Sequence, residues 1–86
     1  MIKNSTRKDK RFMLELDNKK IHFGSPNGFT YIDGATEKTK DNYLKRHDVN
    51  EDWTKINPAS LSRFILWGNS KDINKNITNY FKLFGI

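Results

Sequence analysis

The chain has 86 residues, no cysteine and a net charge of +6, from 16 Lys+Arg against 10 Asp+Glu. That length allows one domain, which buries roughly 60–65% of the surface its unfolded form exposes, and the lack of cysteine excludes disulfides and thiolate zinc sites and fits a reducing compartment. The longest uninterrupted apolar run, Phe64 to Trp67, is far short of the roughly 20 residues of a membrane-spanning helix, and Met1 to Arg11 is too polar for a signal peptide.

The charge is unevenly spread. Residues 1–20 hold seven cations and three anions, residues 21–47 are net +1, residues 48–57 net −2 and residues 58–86 net +3. A positive field of this kind favours polyanions and acidic surfaces as partners without selecting among them. The same lysines also serve simply to keep a small protein dissolved.

In chain order, residues 1–10, MIKNSTRKDK, show no apolar periodicity and read as a flexible basic arm, with a single small domain over 11–86. Phe12, Leu14 and Leu16 alternate with Met13 and Glu15, a strand pattern. Asp17 to Lys20 suits a turn and Ile21 to Phe23 a returning strand, so the two form a β-hairpin. A lone hairpin is barely stable in water, so its apolar face requires a cover. Residues 24–35, GSPNGFTYIDGA, read as a loop, in which at least one of Phe29, Tyr31 and Ile32 should tuck inward; a third short strand over Phe29 to Tyr31 is an option.

A helix is expected from Thr36 to His47, with Thr36 as N-cap, Glu37 in the first turn and Lys45-Arg46 in the last. Asp48 to Lys55 reads as an acidic connector around Trp53. Asn57-Pro58 is a helix start, and the helix should run to Trp67 and stop at Gly68. Asn69 or Ser70 can cap a last helix, in which Ile73, Ile77, Tyr80, Phe81 and Phe84 form an apolar stripe ended by Gly85. The expected fold is α+β: an N-terminal β-hairpin packed against about three α-helices. The Asn-X-Thr matches at Asn4 and Asn76 read as incidental.

The order HFG (22–24), YLKRH (43–47), EDW (51–53) and NPASLSRFILWG (57–68), closed by a lysine/aromatic helix, resembles a family of small proteins encoded by large nucleocytoplasmic DNA viruses of algae and amoebae. The likeness spans residues 12–84 and rests on Tyr43, Arg46, His47, Trp53, Leu61, Ser62, Arg63, Ile65, Leu66 and Trp67, with Phe64 where that family has Trp. It implies a viral source and synthesis inside a host cell, in the cytoplasm, nucleus or viral factory, and a possible place in the virion. It implies no catalytic residue.

No metalloprotease, P-loop or nucleophile-elbow motif occurs. His22 and His47, with Asp33, Asp41 or Asp48, have no spacing that fixes a metal or acid–base site, and Ser60 and Ser62 lack an evident base. The chain therefore reads as non-enzymatic, with no cofactor and no metal. Arg46 and Arg63 each stand beside large apolar residues and have two readings. One is phosphate binding through the planar guanidinium fork; the other is an ion pair with Asp48, Glu51 or Asp52, which is the expectation for Arg63. Trp67 is expected in the core, and Trp53 is either a lid or a partner anchor. The candidate nucleic-acid-binding set is Lys3, Arg7, Lys8, Lys10, Arg11, Lys19, Lys20, Lys45, Arg46, Lys71, Lys75 and Lys82. Such a set makes salt-dependent phosphate contacts without regard to base sequence. The expected function is sequence-independent nucleic-acid binding, DNA before RNA; the alternative is a minor virion protein that docks on other viral proteins.

Overall fold

A computed structural model describes residues 1–86. Three antiparallel strands, β1 (Ile2–Asn4), β2 (Phe12–Leu16) and β3 (Lys19–Phe23), lie in the order β1-β2-β3. They are followed by a 3-10 turn at Tyr31–Asp33, α1 (Glu37–Asp48), α2 (Pro58–Leu61), a π-helical turn at Ser62–Leu66 that continues α2, and α3 (Ile73–Phe84). The fold is α+β, as the residue pattern implies.

The hairpin closes through Asp17-Asn18, with Leu16 opposite Lys19. Asp17 takes φ +46°, a left-handed conformation that Asp tolerates better than most residues. Register then sorts the two faces of the sheet. Ile2, Leu14 and Ile21 stand in line, as do Phe12 and Phe23, and they face the helices. Lys3, Met13 and His22 share the outer face with Glu15 and Lys20. Met13 is buried there, between its cross-strand neighbours.

Residues 2–4 are not an arm. They add a third strand, for which the residue pattern offered Phe29 to Tyr31 as an option; there the chain instead enters the 3-10 turn at Tyr31. Two features account for the exchange. Ile2 pairs with Leu14 on the core face while Lys3 lies outside it, so a short polar segment gains a full set of ladder partners. Around Tyr31 the Asp33 carboxylate accepts from the Thr30 N–H and hydroxyl, 2.9 and 2.8 Å, which favours a turn over an extended chain. Tyr31 is buried and Ile32 half-buried, whereas Phe29 remains 65% exposed.

Caps set the helix ends. The Thr36 side chain accepts from the Thr39 N–H at the start of α1, and Asn57 and Ser60 form a reciprocal capping box ahead of α2, with Pro58 in the first turn. At α3 the cap is Asp72 rather than Asn69 or Ser70: its carboxylate accepts from the Asn74 N–H at 3.0 Å, and Ser70 Oγ receives the Asp72 N–H. Gly85 ends α3 at φ +67°.

The stretch expected as one helix from Pro58 to Trp67 changes pitch at Ser62, and the Trp67 N–H donates to the Ser62 carbonyl five residues back at 3.0 Å. Leu61, Ile65, Leu66 and Trp67 are all buried, and the wider turn brings them under both the sheet and α3. Gly24, at φ +83°, lets the end of β3 approach this centre: a Cβ there would stand 3.0 Å from Leu66 Cδ1 and 3.2 Å from Arg11 Cβ. Tyr80 of α3 is fully buried, and its hydroxyl meets Ser60 Oγ at 2.8 Å. No helix is long and apolar enough to cross a membrane.

Candidate nucleic-acid interface

The fold divides the cations into those that its own carboxylates hold and those that face solvent without a partner. The first group is N-terminal. On the outer sheet face Glu15 takes Lys3 at 2.9 Å and lies 4.0 Å from Lys20. Arg7 forks onto Asp9 at 3.0 and 2.8 Å. Arg11 reaches across the molecule and grips Asp33 with two 2.6 Å bonds, both side chains about a quarter exposed. The Arg11 guanidinium, with help from the Thr30 N–H and hydroxyl, holds the Asp33 carboxyl well below the usual carboxylate range. Arg11 thus ties the start of β2 to the 3-10 turn. Lys8, Lys10 and Lys19 form no ion pair.

Most of the second group lies on or next to the helices. Helical spacing puts Lys38, Asn42, Lys45 and Arg46 on the outer face of α1, opposite the buried Lys40 and Tyr43. Thr39, Asn42, Lys45 and Arg46 line a shallow polar groove there. Asp41 stands at the edge of this face and pairs with none of them. On α3, Lys75 and Lys82 follow Lys71 along an outer face that also presents Asn74, Thr78 and Asn79. The Lys71 ammonium lies 5.0 Å from the Tyr31 ring centroid, a cation–π contact that leaves its N–H donors free. None of these cations meets a carboxylate. Lys38 belongs to the set by its position on α1, one turn from Asn42 and two from Lys45, a spacing that was readable once the helix was placed.

Arg63 departs from expectation. It pairs with none of Asp48, Glu51 and Asp52. Its Nη1 donates to the Trp67 carbonyl at 3.0 Å, and the guanidinium lies 5.2 Å from the Trp53 ring centroid and 4.9 Å from that of Phe64. Its Nε is buried without a partner. One of the three expected carboxylates is used elsewhere: Glu51 accepts from Trp53 Nε1 at 2.9 Å and meets His47 Nδ1 at 2.7 Å. His47 in turn stacks on Tyr43, and Tyr43 on Trp67, with centroids 4.2 and 4.4 Å apart. Burial pushes the Tyr43 hydroxyl up to about 12. Trp53 is thereby half-buried, engaged at its N–H and along its face, and acts as a lid over Arg63.

A second cation, Lys40, is only 8% exposed and donates to the Gly68 carbonyl at 2.7 Å, with the Tyr31 ring centroid 4.6 Å away. Desolvation, followed by the field of Arg63, lowers its pKa. Lys40 and Arg63 thus converge on the carbonyls that end the π turn, where the helix dipole favours positive charge. His22 is elsewhere, its Nδ1 2.7 Å from Ser5 Oγ, and no three His, Asp or Glu side chains gather as a metal-ligand set.

Comparison with known proteins gives one match. Residues 1–47 fit the model of a family of unknown function, DUF5754; no curated protein and no solved structure matches the chain. The matched stretch contains the whole sheet, the 3-10 turn and α1 up to His47, while the π turn and α3 lie beyond it. As the match takes in more than half of the sequence, the chain belongs to the family of unknown function DUF5754.

Proposed function

We propose that the protein binds nucleic acid through phosphate contacts made by the outer faces of α1 and α3, without reading base sequence. One observation carries this reading. Lys38, Lys45, Arg46, Lys71, Lys75 and Lys82 are exposed and free of carboxylates, whereas at the N-terminus Lys3, Arg7 and Arg11 are held by the protein's own acids and only Lys8, Lys10 and Lys19 stay unpaired. This favours the helices as the main binding surface, with Lys8, Lys10 and Lys19 adding to the same positive field. Asn and Thr side chains between the lysines add neutral donors suited to phosphate oxygens. Duplex DNA is the preferred partner, and no residue is assigned a catalytic role. The likeness to proteins of large DNA viruses fits a setting rich in nucleic acid, the host cytoplasm, nucleus or viral factory.

Mobility-shift titration with a 30-base-pair duplex across a salt series tests the proposal. The logarithm of affinity should fall linearly with the logarithm of salt concentration, by about 0.9 for each phosphate contact, and should not change with base sequence. Absence of binding at low salt, or binding indifferent to salt, would refute it.

A second reading, docking on a partner protein within a virion, is supported by Phe29. It is a large aromatic 65% exposed just ahead of the 3-10 turn, whereas Trp53 is half-buried and already engaged.

A further inference from the structure

We propose that the cleft between the π turn and α3 binds a compact oxyanion, phosphate or carboxylate, carried on an apolar body, with Arg63 as its counter-ion. The cleft has a volume of about 320 Å³, and its walls include Arg63, Phe64, Asn69, Asn79, Tyr80 and Leu83. That is the small end of ligand pockets, which run from about 300 to 1,000 Å³.

The first argument is the state of Arg63. A guanidinium carries five N–H donors and no acceptor. Here one nitrogen donates to the Trp67 carbonyl, Nε is sealed from solvent without a partner, and two aromatic rings shield the cation. No carboxylate completes it. A withdrawn charge without a counter-ion and with an unused donor is costly, and buried unsatisfied donors in folded proteins call for an explanation.

The second argument is Lys40. It adds another desolvated cation on the carbonyl of Gly68, the residue next along, and it too lacks a carboxylate. Two positive charges thus share one end of the π turn, and the partial negative charge of a helix terminus, about half an elementary charge, offsets only part of them.

The remaining walls fit the rest of the ligand. The side-chain amides of Asn69 and Asn79 can donate to oxygens that the guanidinium leaves free. Phe64 and Leu83 offer apolar surface to the body that carries the anion, with the buried Tyr80 behind them, and Leu83 is 61% exposed at the rim. An oxyanion in the cleft would meet Arg63 Nη2, which has no partner in the protein and is not sealed as Nε is, and the planar guanidinium fork suits it better than a lysine ammonium would. The wide π turn sets this residue in place, and such turns often mark functional positions.

The test reads the orphan donor directly, as the ¹⁵N–¹H signal of Arg63 Nε in the full-length protein. Inorganic phosphate, phenyl phosphate and benzoate are titrated at constant ionic strength against chloride. These anions are too small to bridge the helical lysines, so the outcome is independent of duplex binding. Phenyl phosphate, benzoate or both should move the Arg63 Nε signal and the Asn69 and Asn79 amide signals along one saturating curve. A response to the phosphate ester alone assigns the natural group as a phosphate, and a response to benzoate alone as a carboxylate. Asn79→Asp and Leu83→Glu, both at exposed rim positions, should leave the backbone spectrum intact and weaken the response at least tenfold. Arg63→Lys should abolish the response of the amides. An Arg63 Nε signal unmoved by all three anions, moved equally by chloride, or moved as strongly in both rim variants would overturn the proposal.

Discussion

Asn76 of α3 lies so close to Gly68 that a Cβ on the glycine would stand 2.6 Å from the Asn76 Cγ. The fully buried amide uses that proximity. Its Nδ2 donates to the carbonyls of Ile65 and Ser70 at 2.9 and 2.7 Å, and its Oδ1 accepts from the Ser70 N–H at 3.1 Å. One side chain therefore fixes the exit of the π turn onto α3. Asn76→Ala should destabilise the protein by about 3 kcal/mol, because it strands buried backbone groups, and Gly68→Ala by about 2 kcal/mol through overpacking. Urea unfolding measures both; because a Cβ on Gly68 would also crowd the Phe64 carbonyl, Asn76→Ala is the variant that reads the amide, and a loss below about 1 kcal/mol for it would show that the turn does not depend on this contact.

The Arg11–Asp33 fork predicts a pH dependence. The folded-state pKa of Asp33 lies below its unfolded value, so the pair's stabilisation is complete above about pH 4, the ordinary carboxylate pKa, and declines as pH falls further toward the folded value. Asp33→Asn removes this charge pair and one arm of the Thr30 turn. It should cost about 1–2 kcal/mol at neutral pH and flatten the acid limb of the stability curve. Thermal melts from pH 2 to pH 7 of both proteins compare the slopes; an unchanged slope would assign acid sensitivity to other carboxylates.

The hydroxyl pair between Ser60 and Tyr80 joins α2 to α3 in a dry site. Tyr80→Phe keeps the ring and its contacts with Phe64 and Phe84, so its cost should be about 1 kcal/mol, the net worth of one hydrogen bond. A double-mutant cycle with Ser60→Ala should return a coupling of similar size. Coupling near zero would mean that the two hydroxyls are satisfied independently.

Lys40 makes the opposite kind of prediction. Its charge is desolvated and its pKa lies below the ordinary lysine value, so the protonated form opposes folding and stability rises as pH climbs through the folded pKa. Lys40→Met loses the bond to Gly68 but also removes the buried charge, and should change stability at neutral pH by less than about 1 kcal/mol. Titration of the Lys40 Cε signal by NMR should give a midpoint below about 10.4, the reference value. A midpoint at or above it would show that the ammonium is well solvated.

The hairpin, α1 and α3 were legible because local signals agreed. Period-two alternation from Phe12, a cap at Thr36 and an apolar stripe from Ile73 each point to one structure. Strand β1 was not. Three residues carry too little periodicity, and Ile2–Asn4 is extended only because β2 offers it a ladder. The π turn is equally silent, since it arises from the demands of packing Ile65, Leu66 and Trp67 at once. At the candidate interface, residue types were readable and pairing was not. Arg11 and Asp33 are 22 residues apart, and Glu51, one of three carboxylates expected to meet Arg63, is consumed by His47 and Trp53 within its own neighbourhood.

The central claim is that the unpaired helical cations, rather than the N-terminal cations held by carboxylates, meet the polyanion. The most direct measurement is the salt dependence of duplex binding for two matched variants, Lys3→Gln/Arg7→Gln and Lys75→Gln/Lys82→Gln. The account predicts that the helix variant reduces the slope of log affinity against log salt by about 1.8, two phosphate contacts, while the N-terminal variant leaves it unchanged. A reduced slope in the N-terminal variant with an unchanged slope in the helix variant would contradict it.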